Sequence, residues 1–162
     1  MNKVFLLIAT FFNIGRVSKA PGTVATFATI PLWWALTHAG PLIYMIVVLL
    51  LVPLGIAAAQ AYETQSDQHD SKEIVIDEVV GFLITMVWLP VTWQSVTLGF
   101  IIFRFLDIVK PPPIRQLDQH VKGGLGVMID DIAAGLIGSL ILQYVYTQTS
   151  WLGVQISTLT TN

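Results

Sequence analysis

The chain contains no cysteine. That absence excludes disulfides, thiolate metal sites and chemistry built on a cysteine nucleophile. Charge is almost as scarce: Asp, Glu, Lys and Arg make up 11% of the 162 residues, against roughly 25% in ordinary globular domains. Apolar residues reach 54%. A water-soluble protein this small must cover its surface with polar groups, and this sequence has too few; a bilayer removes the need. A net charge of −2 gives no electrostatic footprint for nucleic acid, which is set aside as a partner. Fixed-period repeats and low-complexity tracts are also missing, and the length fits one domain over residues 1–162.

The charges that do occur leave long gaps. Ala20 to Gln60 has 41 residues without charge, Val79 to Phe103 has 25, and Ile132 to Asn162 has 31. A membrane helix needs roughly 20 apolar residues. The first gap holds two spans, turning at Thr37-His38-Ala39-Gly40-Pro41. The second, extended to Ile74 and Asp107, holds a shorter hairpin turning near Leu89-Pro90. The third begins with one span, about Val127 to Tyr146. The predicted fold is therefore all-α, a membrane domain with about four to five embedded helices. Every Lys and Arg falls at the N-terminus or in segments 16–19, 72 and 104–122, so the positive-inside rule puts those segments in the cytoplasm. Trp33, Trp34, Trp88, Trp93 and Trp151 lie near the uncharged ends, as an outer aromatic belt requires. The competing reading is a soluble helical domain with a very apolar core. Lys3, the apolar run Val4 to Phe12 and Ser18-Lys19-Ala20 imitate a cleaved signal peptide, but Arg16 and Lys19 after the run and Pro21 after the apparent site predict a retained short or interfacial helix.

The carboxylates gather in three groups. The first is Asp70-Ser71-Lys72-Glu73-Ile74-Val75-Ile76-Asp77-Glu78, in which Asp70, Glu73 and Asp77 are spaced to share a helix face. In the second, Arg104, Asp107 and Lys110 step by three along one stripe, before three prolines. The third is Gly123-Gly124-Leu125-Gly126 leading to Asp130-Asp131 and an apolar helix. Carboxylates beside apolar spans are costly and usually functional. Asp77, Glu78, Asp107, Asp130 and Asp131 fall at about one membrane depth, and such a set repels itself unless cations neutralise it. Hard oxygen donors suit Mg²⁺, Mn²⁺ or Ca²⁺, and Mg²⁺ commonly combines carboxylates with phosphate oxygens. Those five are the candidate metal ligands; Asp77, Glu78, Asp130 and Asp131 are also the candidate catalytic acids. Arg104, Lys110 and Lys122 are the candidate phosphate ligands. The chemistry favoured is attack of an activated water on phosphorus, with a carboxylate as general base. The bland alternative is structural pairing of the acids with Arg104, Lys110, Arg115 and Lys122.

Two glycine-bearing segments are weaker signals. Lys122 to Gly126 precedes a helix start, where free N–H groups favour an anion, and an ordinary turn fits the motif equally. Ala20-Pro21-Gly22-Thr23 reads as a helix start with Thr23 as its cap, or as a phosphate contact through Thr23. Gly135, Gly138 and Ser139 read as close helix packing. His38, His69 and His120 have no ligand spacing.

Taken together, Pro21-Gly22-Thr23, Asp70 with Ile74 to Gly81, Phe103 to Pro111 with Pro113-Ile114, and Gly123 to Asp131 with Ala134-Gly135 resemble the phosphatidylglycerophosphatase A family over roughly residues 4 to 147. The resemblance implies a Mg²⁺-dependent phosphatase that converts phosphatidylglycerol phosphate to phosphatidylglycerol at the cytoplasmic face of a bacterial inner membrane, on a helical fold. The five acids and Arg104 and Lys110 match the family's acidic and basic positions. The sequence departs where the family usually has Gly-Ser, here Ala25-Thr26, and where it has Ser-Pro, here Ser18-Lys19. Two other functions compete. A CDP-alcohol phosphotransferase spaces its acids at three and four residues, which the adjacent Asp130-Asp131 does not match. An ion carrier or scaffold would place acids near the middle of the spans.

Overall fold

A computed structural model describes residues 3–16, 19–66 and 71–153. Among these it forms seven α-helices and no strand: α1 (Lys3–Ala9), α2 (Pro21–Ala39), α3 (Pro41–Ser66), α4 (Ile76–Thr85), α5 (Trp93–Val109), α6 (Ile114–His120) and α7 (Gly123–Gln148), with a 3₁₀ turn at Ile14–Arg16. Local chemistry sets most boundaries. Pro21 occupies the first turn of α2, where its missing N–H costs nothing. Gly40, at φ 103°, breaks the apolar run into α2 and α3. Thr92 caps α5, its hydroxyl accepting from the Ser95 N–H at 3.1 Å.

The four long helices α2, α3, α5 and α7 surround α4. That helix is too short to cross a bilayer: ten residues cover about 15 Å of a hydrocarbon core of about 30 Å. It is instead the centre of the core, with Ile76 and every residue from Val79 to Thr85 buried. Its closest partner is α7. A Cβ on Gly135 would press on the Gly81 backbone, and one on Gly81 on the Phe103 ring, so these glycines let backbones approach as small residues do between membrane helices. Tyr44 donates to the Leu83 carbonyl at 2.6 Å and Gln143 to that of Val87 at 2.7 Å, satisfying carbonyls where α4 ends.

Of the four to five embedded helices expected, two among the described residues, α3 and α7, are long and apolar enough to cross a membrane. Both expected turns are present, at Gly40 and in residues 86–92; α6 has no counterpart in the expectation. The outward faces of α3, α5 and α7 carry Leu42, Leu49, Leu50, Ile101, Phe105, Leu140 and Tyr144, all exposed. So many large apolar side chains exposed on three helices mark a surface suited to lipid or to another protein. Four tryptophans are exposed near the ends opposite the charges, Trp34, Trp88, Trp93 and Trp151, and the last two stack edge to face at 6.4 Å. Trp33 is buried at 1% exposure, so it belongs to the core and not to the belt. The N-terminal segment forms α1, docked on α3, and its Ala9 carbonyl accepts from the Val75 N–H at 2.9 Å. Ser18, His69, Asp70 and the tail from 154 onward lie outside the described residues.

Candidate active site

Six segments meet at one end of the bundle: the first turn of α2, the segment after α3, the first turn of α4, the last two turns of α5, α6 with the link that follows it, and the start of α7. Between them lies a cavity of about 340 Å³. Asp77 and Glu78 open α4, where the helix dipole favours acids. Arg104 and Asp107 project from one face of α5. Lys110 closes that helix in a left-handed conformation, φ 47°. Asp130 and Asp131 sit two turns into α7, 6% and 2% exposed. Pro21, Gly22 and Thr23 form the remaining wall. Gly22 has a specific reason to be glycine: a Cβ there would collide with the Glu78 carboxylate and stand 3.1 Å from the Arg104 guanidinium.

The charges are unevenly matched. Arg104 Nη1 lies 2.5 Å from Asp107 Oδ2 and 3.8 Å from Glu78 Oε1. Lys110 Nζ donates to Asp130 Oδ2 at 2.6 Å and to Asp118 Oδ1 at 2.7 Å. Burial alone would lower the Lys110 pKa, but these two carboxylates outweigh it and hold the ammonium above its usual range. Among the described residues no cation pairs with Asp77 or Asp131. Asp77, Glu78 and Asp131 each present an oxygen within 4.8 Å of the others. Asp77 Oδ1, Glu78 Oε2, Asp130 Oδ1 and Asp131 Oδ2 are buried with no hydrogen-bond donor among the described residues. Such atoms are expensive to leave unsatisfied. A hard divalent cation satisfies several acceptor-only oxygens at once, and this donor set fits one.

Of the residues singled out in the sequence, the fold brings Asp77, Glu78, Asp107, Asp130, Asp131, Arg104, Lys110 and Thr23 to one cavity. Lys122 is exposed at the N-cap of α7 and is not in its lining. Thr23 is not a cap; Ala20 holds that position and Thr23 lies within the first turn. The glycines at 123–126 are not a loop before α7 but its first turn. One free donor there, the Gly124 N–H, is taken by Gln60 Oε1 at 2.9 Å. Glu73 shares no helix face with Asp77; it precedes α4 and bonds Arg16 Nε at 2.7 Å and the Tyr62 hydroxyl at 2.6 Å. His38 and His120 bond carbonyls one turn back in their own helices. Sequence reasoning overlooked Asp118, Ser71 and Lys72 as lining residues. Asp118 had one faint signal, an acid following the proline run after Lys110.

Comparison with known proteins adds an independent finding. Residues 7–146 match the family model described as phosphatidylglycerophosphatase A. Phosphatidylglycerophosphatase A of Escherichia coli (strain K12) is 40% identical over 146 residues, covering 90% of this chain and 85% of the relative. That of Haemophilus influenzae (strain Rd) is 36% identical over 138 residues, covering 84% and 85%. No solved structure matches the chain.

Proposed function

Because the chain belongs to the phosphatidylglycerophosphatase A family, we propose that its end cavity hydrolyses the terminal phosphate monoester of phosphatidylglycerol phosphate, releasing phosphatidylglycerol and inorganic phosphate. The observation that carries the assignment is the cluster of buried carboxylate oxygens of Asp77, Glu78 and Asp131 that lack a hydrogen-bond donor among the described residues, beside Arg104 and Lys110. Asp77, Glu78 and Asp131, with Asp107 and Asp130 beside them, are the residues to hold Mg²⁺, which when bound supplies Lewis acidity and charge neutralisation at the phosphoryl group.

The remaining work belongs to the side chains. Arg104 keeps a buried Nε without a hydrogen-bond partner among the described residues, a donor suited to a phosphoryl oxygen. Lys110 sets the orientation of Asp130 and adds positive charge at the same wall. A carboxylate of this cluster, Asp77 or Asp131, neither of them paired with Lys or Arg among the described residues, accepts the proton of the attacking water. The new P–O bond forms as the bond to the glycerol oxygen breaks, and that oxygen leaves with the proton that the carboxylate accepted from the water. Thr23 lies on the facing wall, within the cavity.

The location follows from charge. All eight Lys and Arg belong to the cavity end or to the N-terminal segment, while the opposite turns carry none and expose tryptophan. This supports a multi-pass protein of the bacterial inner membrane with four to five embedded helices and the site facing the cytoplasm. The headgroup phosphate of an inner-leaflet lipid lies at that depth. The test is phosphate release by the purified, detergent-solubilised protein with Mg²⁺, with excess EDTA, and after Mg²⁺ is restored. Release that follows the metal is expected. Release untouched by EDTA would remove the metal from the account, and no release from folded protein would remove the reaction.

A further inference from the structure

Among the described residues three cations line the cavity: Lys72, Arg104 and Lys110. Two are engaged, Arg104 by Asp107 and Glu78, and Lys110 by Asp118 and Asp130. Lys72 forms no ion pair among the described residues and is exposed at the cavity wall.

Its backbone is nevertheless fixed from both sides. Ser71 accepts from the Ile74 N–H at 2.9 Å through its carbonyl, and its hydroxyl accepts from the Glu73 N–H at 3.4 Å. Glu73 is clamped by Arg16 and Tyr62. Val75 is tied to Ala9 at 2.9 Å, and a Cβ on Gly15 would collide with the Glu73 carbonyl. Lys72, with no ion pair among the described residues, thus stands on an anchored turn, five residues ahead of Asp77, with Ser71 beside it on the same lining.

Resting on the hydrolytic reading above, we propose that Lys72, with Ser71, forms a second anion subsite that holds the non-reacting phosphodiester of the lipid. The substrate carries two phosphates. The terminal monoester is drawn to the metal-competent acids, Arg104 and Lys110. The diester, nearer the acyl chains, retains a single negative charge that those engaged cations leave unpaired. Among the described residues Lys72 is the lining cation that no carboxylate engages. The subsite therefore selects lipids with a phosphodiester behind the scissile group over simple phosphate monoesters.

The experiment is steady-state kinetics of wild type, Lys72→Gln and Lys72→Arg on phosphatidylglycerol phosphate in mixed micelles, with inorganic phosphate as competing product. Phosphate occupies the monoester subsite alone. The expected result for Lys72→Gln is a KM raised roughly three- to tenfold, as for one partly exposed charge-assisted contact, with kcat and the phosphate Ki unchanged. Lys72→Arg is expected to restore KM. An unchanged KM in Lys72→Gln, or KM and phosphate Ki rising together, would overturn the subsite while leaving the reaction intact. An inactive wild type would instead overturn the hydrolytic reading itself.

Discussion

Asp77 and Asp131 are the cavity acids with no cation beside them among the described residues, so a bound metal stabilises them most. Mg²⁺ is expected to raise the thermal unfolding midpoint of the wild type, as any ligand of the folded state does. In Asp77→Asn that rise is expected to shrink to near zero; an equal rise in both would place the metal elsewhere. Glu73 makes a different prediction. The Tyr62 hydroxyl, first, and the Arg16 guanidinium hold its carboxyl below the usual range. A pKa lowered by folding adds stability that is present above the unfolded value, about 4.3, and is lost as pH falls through the folded one. Glu73→Gln is expected to unfold below wild type at pH 7, with the gap closing under about pH 4; a gap of constant size down to pH 3 would contradict the clamp. The paired acids were legible in the sequence because carboxylates abutting apolar runs carry a desolvation cost that demands a partner. Asp118 and Lys72 were not, because a polar residue in a charged segment gains meaning only when a distant element closes over it. Lys122 shows the converse: proximity in sequence to the glycine turn did not bring it to the cavity lining.

At the scale of elements, glycine decides how closely helices meet. In Gly135→Val the side chain would press on the Gly81 carbonyl and Ile84, and the α4–α7 contact is expected to lose about 1–3 kcal/mol, read as a lower unfolding midpoint in detergent. Gly22→Ala should act differently, because its Cβ meets the Glu78 carboxylate at the site. Phosphate release is expected to fall at least about tenfold with little change in the midpoint, as displaced catalytic groups cost rate before stability; the reverse pattern would mean that Gly22 serves packing alone. The helix breaks at Gly40 and in residues 86–92 were legible because Gly and Pro punctuate any pattern. The length and burial of α4 were not. An apolar run looks the same whether it faces lipid or protein, and only the backbone contacts of Gly81 and Gly135 separate the two. Helix α6 escaped because seven residues after three prolines, five of them polar, read as a loop.

For the whole molecule, charge at one end and exposed tryptophan at the other are the grounds for the proposed orientation, and the lack of cysteine makes it simple to check. His38→Cys at the uncharged end is expected to react with an impermeant maleimide on spheroplasts, and Arg115→Cys only after the membrane is opened. Labelling of Arg115→Cys from outside would invert the topology. Hydrolysis at the end cavity requires that its carboxylates form the catalytic centre. The measurement that reaches this most directly is phosphate release from phosphatidylglycerol phosphate by Asp131→Asn beside wild type, with Mg²⁺ present and folding verified by helix content and unfolding midpoint. Loss of at least about 100-fold in rate by a folded variant is the expected result, whereas a folded Asp131→Asn turning over near the wild-type rate would contradict the account.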